Sequence, residues 1–190
     1  PAGGDELALL GRLPQRVELS WPGGSREVEL ERGSATFDPI RTDQMTIRVL
    51  EAEPAFAARV QALFDAYKHK TIATLRADGS PRISGIEAQF VDGELTFGSM
   101  PQARKGADLR RDGRFALHSA TVDPVTGEEA AWPGEAKISG VAILDASSTD
   151  ADSFRADVVE VVHTHLDEAA TLLVVEWWTP TGGLRRVERE

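Results

Sequence analysis

Between Thr71 and Phe97 the chain runs through three short β-type segments and reverses twice, a pattern that few folds accept. Thr71-Ile72-Ala73-Thr74-Leu75 is rich in β-branched residues and ends at the turn Ala77-Asp78-Gly79-Ser80-Pro81. A second run, Arg82 to Phe90, ends at Asp92-Gly93, and Glu94-Leu95-Thr96-Phe97 follows at once. Asp-Gly supplies the positive backbone angles of a tight hairpin turn, so the three runs form an antiparallel meander. A meander with one apolar face must close on itself or be covered.

The remainder supplies more strands and three helix-like stretches. Arg114–His118, Ala136–Leu144, Thr171–Thr179 and Leu184–Val187 read as strands. Phe56, Val60, Leu63, Phe64 and Tyr67 recur at helical spacing after Pro54, which suits a first turn, so a helix is expected over 54–69. A short helix is expected over 102–111, after the loop Gly98-Ser99-Met100-Pro101. A third is expected over 152–165, with Ser147, Ser148, Thr149 and Asp150 as capping candidates. Six or seven antiparallel strands with few helices imply a mainly β fold, a barrel with helices at its ends. Upstream, Val17–Trp21 and Arg26–Glu31 flank the turn Pro22-Gly23-Gly24-Ser25, a β-hairpin signal. We read residues 1–44 as an N-terminal hairpin extension and 45–190 as the main domain, with Met45 marking the boundary.

Composition excludes several classes. The chain has no cysteine, hence no disulfide framework and no thiolate metal site. No apolar run nears the ~18–20 residues of a membrane span, and the first residues carry no leader pattern, so a cytoplasmic location is expected. A net charge of −10 disfavours nucleic acid as a partner and makes any local run of cations conspicuous.

One such run exists. Arg104, Lys105, Arg110, Arg111 and Arg114 fall between residues 104 and 114, against Asp108 and Asp112 alone. Arg104 and Lys105 belong to the first turn of the expected short helix, whose N-terminal end is already positive. A shared phosphate resolves that conflict, bound by the free N–H groups after Pro101, the Ser99 hydroxyl and the two cations. A solvated basic helix face is the alternative.

Three segments in order carry a resemblance. Residues 71–82, Asp92–Ser99 and Ala103–Arg114 are similar to the opening hairpin, third strand and phosphate-binding segment of the pyridoxamine 5′-phosphate oxidase-like split barrels. In the last, Ala103-Arg104-Lys105-Gly106-Ala107-Asp108-Leu109-Arg110-Arg111-Asp112-Gly113-Arg114, Gly113 stands where the family commonly has Pro. The likeness is good over 56–119 and loose over 135–190. It implies a split antiparallel β-barrel of the FMN-binding type, a homodimer with its cofactor at the subunit interface. That cofactor would be FMN or the deazaflavin coenzyme F-420. Arg104 and Lys105 would hold its phosphate, with Ser99 helping, Met100 would also contact the cofactor, and Arg82, Ile83, Ser84 and Gly85 would line the ring and ribityl chain. The segments that bind pyridoxamine phosphate in the family have no match, so a vitamin B6 oxidase is not expected.

The expected function is therefore a flavin- or deazaflavin-dependent oxidoreductase acting on a small organic substrate. A flavin performs the redox step itself, so no nucleophile–base pair is needed, and no catalytic residue is assigned. The alternative is a non-catalytic flavin- or haem-binding carrier or sensor. Gly85, mid-strand, either marks a β-bulge or lets a flat ring approach the backbone. Trp132, in the Gly- and Pro-rich loop 121–134, is a candidate to stack on a ring held by the other subunit. His118 reads as an ordinary surface or core histidine. Adjacent Trp177 and Trp178 must face opposite sides of a strand. His163 and His165, two apart on the expected third helix, would diverge, so no metal site is expected.

Overall fold

The computed structural model describes residues 16–21, 24–29, 52–145 and 151–190. The chain divides into two compact units, Pro1–Asp43 and Gln44–Glu190. In the first, β1 (Arg16–Trp21) and β2 (Gly24–Glu29) form an antiparallel hairpin in the register Arg16↔Glu29 to Trp21↔Gly24. Leu30, Glu31, Met45 and the four capping candidates at 147–150 lie outside the described residues.

The second unit is built on β3 (His69–Leu75), β4 (Pro81–Val91), β5 (Glu94–Ser99), β6 (Arg114–His118), β7 (Glu135–Leu144), β8 (Asp152–Leu166), β9 (Leu173–Thr179) and β10 (Gly183–Arg189). Its strand order is β10-β9-β8-β5-β4-β3-β6-β7, and β7 pairs back onto β8. Six strands therefore close into an antiparallel barrel, while β9 and β10 extend the sheet beyond it. The expected split-barrel fold is the fold observed. The meander of β3, β4 and β5 lies where the two Asp-Gly turns put it, with Asp92 and Gly93 both at positive φ.

Closure depends on β8. Along one edge it pairs with β5 through Asp152–Arg155 and with β9 through Val161–Leu166, while β7 runs along the other edge. The helix expected over 152–165 is thus a strand. A register shift at Ser139/Gly140 pairs Gly140 with Val158 and Ser139 with Glu160, leaving Val159 as the extra residue. Phe154, Ala156 and Val158 point inward before this bulge, and Val161 and His163 after it. The reset places Phe154, Val158, Val161 and His165 at helical intervals, which imitates an amphipathic helix. The β-branched valines and the pairing on both edges decide for the strand.

The interior is aromatic and aliphatic. Phe97 packs edge-on against Phe115 at 5.1 Å and stacks with its cross-strand partner Phe154 at 5.9 Å. Helix α1 (Pro54–Asp65) buries Phe56, Ala57, Val60 and Phe64 against β4 and β7. It stops four residues before the expected end, because His69 opens β3. Trp178 is core and Trp177 is half-buried, on opposite faces of β9. Among the described residues no helix is long and apolar enough to cross a membrane.

Candidate functional site

Helix α2 (Arg104–Arg111) begins with Arg104 and Lys105 in its first turn. Ala103 is the capping residue and offers no side-chain acceptor, so the leading N–H groups have no side-chain cap. The entry from β5 is a tight turn, with the Ala103 N–H donating to the Met100 carbonyl at 3.1 Å and Gln102 at φ 63°. A non-glycine residue held in that left-handed region is a feature of constrained loops near sites.

The helix is pinned to the barrel by Asp108. Its carboxylate, nearly fully buried, accepts from Arg82 Nε at 2.6 Å, Thr74 Oγ1 at 3.1 Å and Arg111 Nη1 at 3.3 Å. Burial pushes its pKa up, but these hydrogen bonds outweigh burial and hold it below the usual aspartate value. Arg82, expected to face a cofactor, is committed to this anchor. Arg110 is ion-paired with Asp152, whose other oxygen has no partner and packs over Gly106. The positive end of α2 thus has a carboxylate on its β8 side and Lys105 on its β4 side.

Beside this helix start is a cleft of about 960 Å³. It brings together four of the expected residues, Gly85, Ser99, Met100 and Lys105. Lys105 Nζ donates to the Gly85 carbonyl at 2.6 Å, and Ser99 is buried. No bulge interrupts β4 at Gly85, which pairs regularly with Thr71. A Cβ built there meets nothing within 4 Å, so the strand opens into free space at this point. Ile83 lies two residues away on the same outward face and is 75 % exposed. Arg82, Ile83, Ser84, Arg104 and Trp132 are not among the cleft's lining residues. Arg104 is exposed, and Ser84 pairs with Ile72. Trp132 is bound within its own loop, its Nε1 donating to the Val122 carbonyl at 2.7 Å.

Several cleft residues escaped the sequence reading, Lys70 and Tyr67 among them. Lys70 sits at an inward position of β3, is 6 % exposed, and donates to the Lys68 carbonyl at 3.3 Å. Burial pushes its pKa down, partly offset by Asp65 and Glu87. The signal was available, since Lys70, Ile72 and Thr74 share the buried face of one strand. Tyr67, beyond the end of α1, lines the rim and is half exposed. The cleft therefore carries Lys68, Lys70 and Lys105 against Asp65 and Glu87, a cationic excess in an acidic chain.

A second polar cluster lies elsewhere on the barrel. His163 and His165 are on β8, not on a helix, so their spacing puts them on one face, with rings stacked at 4.6 Å. Glu176 on β9 is paired in register with His163 and is buried beside both. The divergence expected from helical geometry is overturned.

No family model and no curated protein matches the sequence. Solved structures do match the fold. A pyridoxamine 5′-phosphate oxidase-related, FMN binding protein from Nostoc punctiforme aligns with TM-score 0.53 at 9 % identity, over 73 % of this chain and 96 % of that one. PhzG from Burkholderia lata, solved with tetrahydrophenazine-1-carboxylic acid, gives 0.49 at 15 %, over 80 % and 94 %. A heme binding protein from Mycobacterium smegmatis gives 0.44 at 15 %, over 79 % and 59 %.

Proposed function

We propose that this split barrel, which has the fold of pyridoxamine 5′-phosphate oxidase-like proteins, binds FMN or coenzyme F-420 in the cleft beside α2 and acts as an oxidoreductase on a small organic substrate. The observation that carries the reading is the meeting of Gly85, Ser99, Met100 and Lys105 around one cavity at an uncapped helix start. Its size suits a cofactor, since ligand sites commonly span about 300–1,000 Å³. The open side of Gly85 fits a flat ring, and the donors around α2 fit a phosphate. The bound cofactor would supply hydride transfer.

The residues divide the remaining work. Lys105 and the first-turn N–H groups of α2 hold the phosphate, with Ser99 adding a hydroxyl and Arg104 reaching in from the exposed side. Gly85 borders the ring from β4, with Ile83 two residues along on the same outward face, and Lys70 supplies a buried cation within the cleft. Arg82 acts indirectly, by fixing α2 through Asp108. A homodimer completes the site by covering the outward face of β4, where Ile83 and Val91 are exposed, and the cleft wall, where Met100 and Tyr67 are exposed. Trp132 of the partner subunit would then stack on the ring.

Absorbance of the purified protein distinguishes flavin, deazaflavin and haem. Reduction of the bound cofactor by a nicotinamide donor, with turnover on an acceptor, supports the oxidoreductase. Tight binding without turnover assigns a carrier, and absence of flavin or deazaflavin binding removes the reading.

A further inference from the structure

We propose that His163, His165 and Glu176 form a binding site for a zinc-type divalent cation, with an open coordination position facing a small pocket under the 121–134 loop. The site does not depend on the cofactor reading, although Tyr67 lines both the cofactor cleft and the pocket beside this cluster. His163 Nδ1 lies 3.7 Å and His165 Nε2 3.3 Å from Glu176 Oε2, and the three ligand atoms all fall within 4.8 Å of one another. Metal–ligand bonds of about 2.0–2.2 Å at tetrahedral angles place donor atoms roughly 3.3–3.6 Å apart, so the two distances to Glu176 match, and the two ring nitrogens, within 4.8 Å of each other, need at most a small rotation.

The proton positions point the same way. A carbonyl can only accept, so His163 Nε2 donates to Pro133 at 3.4 Å and His165 Nδ1 donates to Leu166 at 2.7 Å. His163 Nδ1 is then the bare nitrogen of its ring and faces Glu176, while His165 Nε2 donates to Glu176 Oε2 at 3.3 Å, so a metal ion would take the place of that proton. His163 is 3 % exposed and its Nδ1 is buried without a hydrogen-bond partner. Burial, and then His165, push its pKa down. A ring whose second nitrogen is fixed by a backbone carbonyl is also how metal-bound histidines are oriented.

The charge now facing this cluster is Arg59 from α1, whose Nη2 donates to Glu176 Oε2 at 2.6 Å. That side chain is 45 % exposed and also donates to the Ala55 carbonyl at 3.4 Å, so a metal ion would compete with Arg59 for the same oxygen. The adjoining pocket holds about 270 Å³, with His163 and Arg59 in its wall. Gly134, at φ 85°, lets the loop close over it, because a Cβ there would lie 2.3 Å from the Thr164 carbonyl and 3.1 Å from His163 Nε2. Two imidazoles, one carboxylate and a cavity for water make the donor set of a zinc ion with an exchangeable position.

The test is titration of the chelator-treated full chain with Zn²⁺ by calorimetry and with Co²⁺ by visible absorbance. One ion per chain should bind, with a Co²⁺ spectrum of tetrahedral intensity. His163→Ala and His165→Gln should each weaken Zn²⁺ by about a hundredfold or more, since even an outer-shell partner is worth ten- to a hundredfold. His118→Ala, paired with Glu135 elsewhere, should leave affinity unchanged. Arg59→Gln should tighten it severalfold by removing the competitor. Thermal melts in chelator establish that each variant is folded. Absence of Zn²⁺ binding, or binding that survives loss of both histidines, would overturn the site. An unchanged or weakened affinity in Arg59→Gln would overturn the competition.

Discussion

The ammonium of Lys105 donates to the carbonyl of Gly85 across 2.6 Å, joining the first turn of α2 to the middle of β4. The two residues sit twenty positions apart, yet they frame one wall of the same cleft. Their bond lets stability and ligand binding be separated by mutation.

Gly85→Val places a side chain in open space and should leave the melting temperature nearly unchanged, because a Cβ there has no neighbour within 4 Å. The same side chain projects toward the proposed ring. FMN affinity should fall at least about tenfold, a loss of about 1.4 kcal/mol or more. Fluorescence titration beside a thermal melt reads both quantities. Unaltered affinity would remove β4 from the cofactor site.

Arg104→Ala and Lys105→Ala should each weaken FMN or coenzyme F-420 binding by about ten- to a hundredfold, as charge-assisted hydrogen bonds of about 1.5–3 kcal/mol are lost. Arg110 and Arg111 already serve Asp152, Asp108 and the Leu75 carbonyl. Replacing them should lower stability and scarcely touch affinity. Riboflavin, which lacks the phosphate, is the control and should ignore all four substitutions.

Asp108→Asn should destabilise the fold by about 3–5 kcal/mol, since it leaves the largely buried Arg82 without its counter-charge. The depressed pKa of Asp108 also fixes a pH dependence. Its contribution is complete above the unfolded aspartate value, near pH 4, and is lost as pH falls through the lower folded value. Denaturant melts from pH 7 to pH 2 should show wild type losing more stability below about pH 4 than Asp108→Asn does.

Gly140→Ala should cost about 3 kcal/mol by overpacking. A Cβ at Gly140 would stand 2.1 Å from the Asp157 carbonyl, at the register shift between β7 and β8. Chemical denaturation measures the loss, and an unchanged midpoint would show that the two strands can part there freely.

Ile83→Glu should convert the proposed dimer to a monomer and release cofactor together with it. Ile83 is 75 % exposed on the outward face of β4, and a charge there would be buried by a partner subunit. Sedimentation at several concentrations checks this. A wild-type monomer that retains cofactor would refute the interface.

The meander was legible because Asp78-Gly79 and Asp92-Gly93 are local signals whose backbone geometry does not depend on the rest of the fold. The start of α2 was legible for the same reason. β8 was not, because one bulge at Val159 shifts its inward set and turns a period of two into helical intervals. That error also hid the relation of His163 to His165, whose geometry reverses between helix and strand. The pairing of Arg82 was not legible, for a different reason. Its partner Asp108 is distant in sequence, and no local pattern distinguishes a cleft-facing arginine from one that anchors a helix. Lys70 was readable from the alternation of β3 and was overlooked beside a denser run of charge.

Because β8 supplies the closing pairs to both β5 and β7, the order of synthesis has a consequence. Until the ribosome has released residues 152–166, the nascent chain holds an open sheet with two bare edges and an uncovered interior. Contacts joining such distant positions form slowly, and unpaired edges invite association with other chains. The interval between the emergence of β7 and the docking of β8 is thus the period of greatest exposure to misassembly, and chains truncated before residue 152 should accumulate as aggregates.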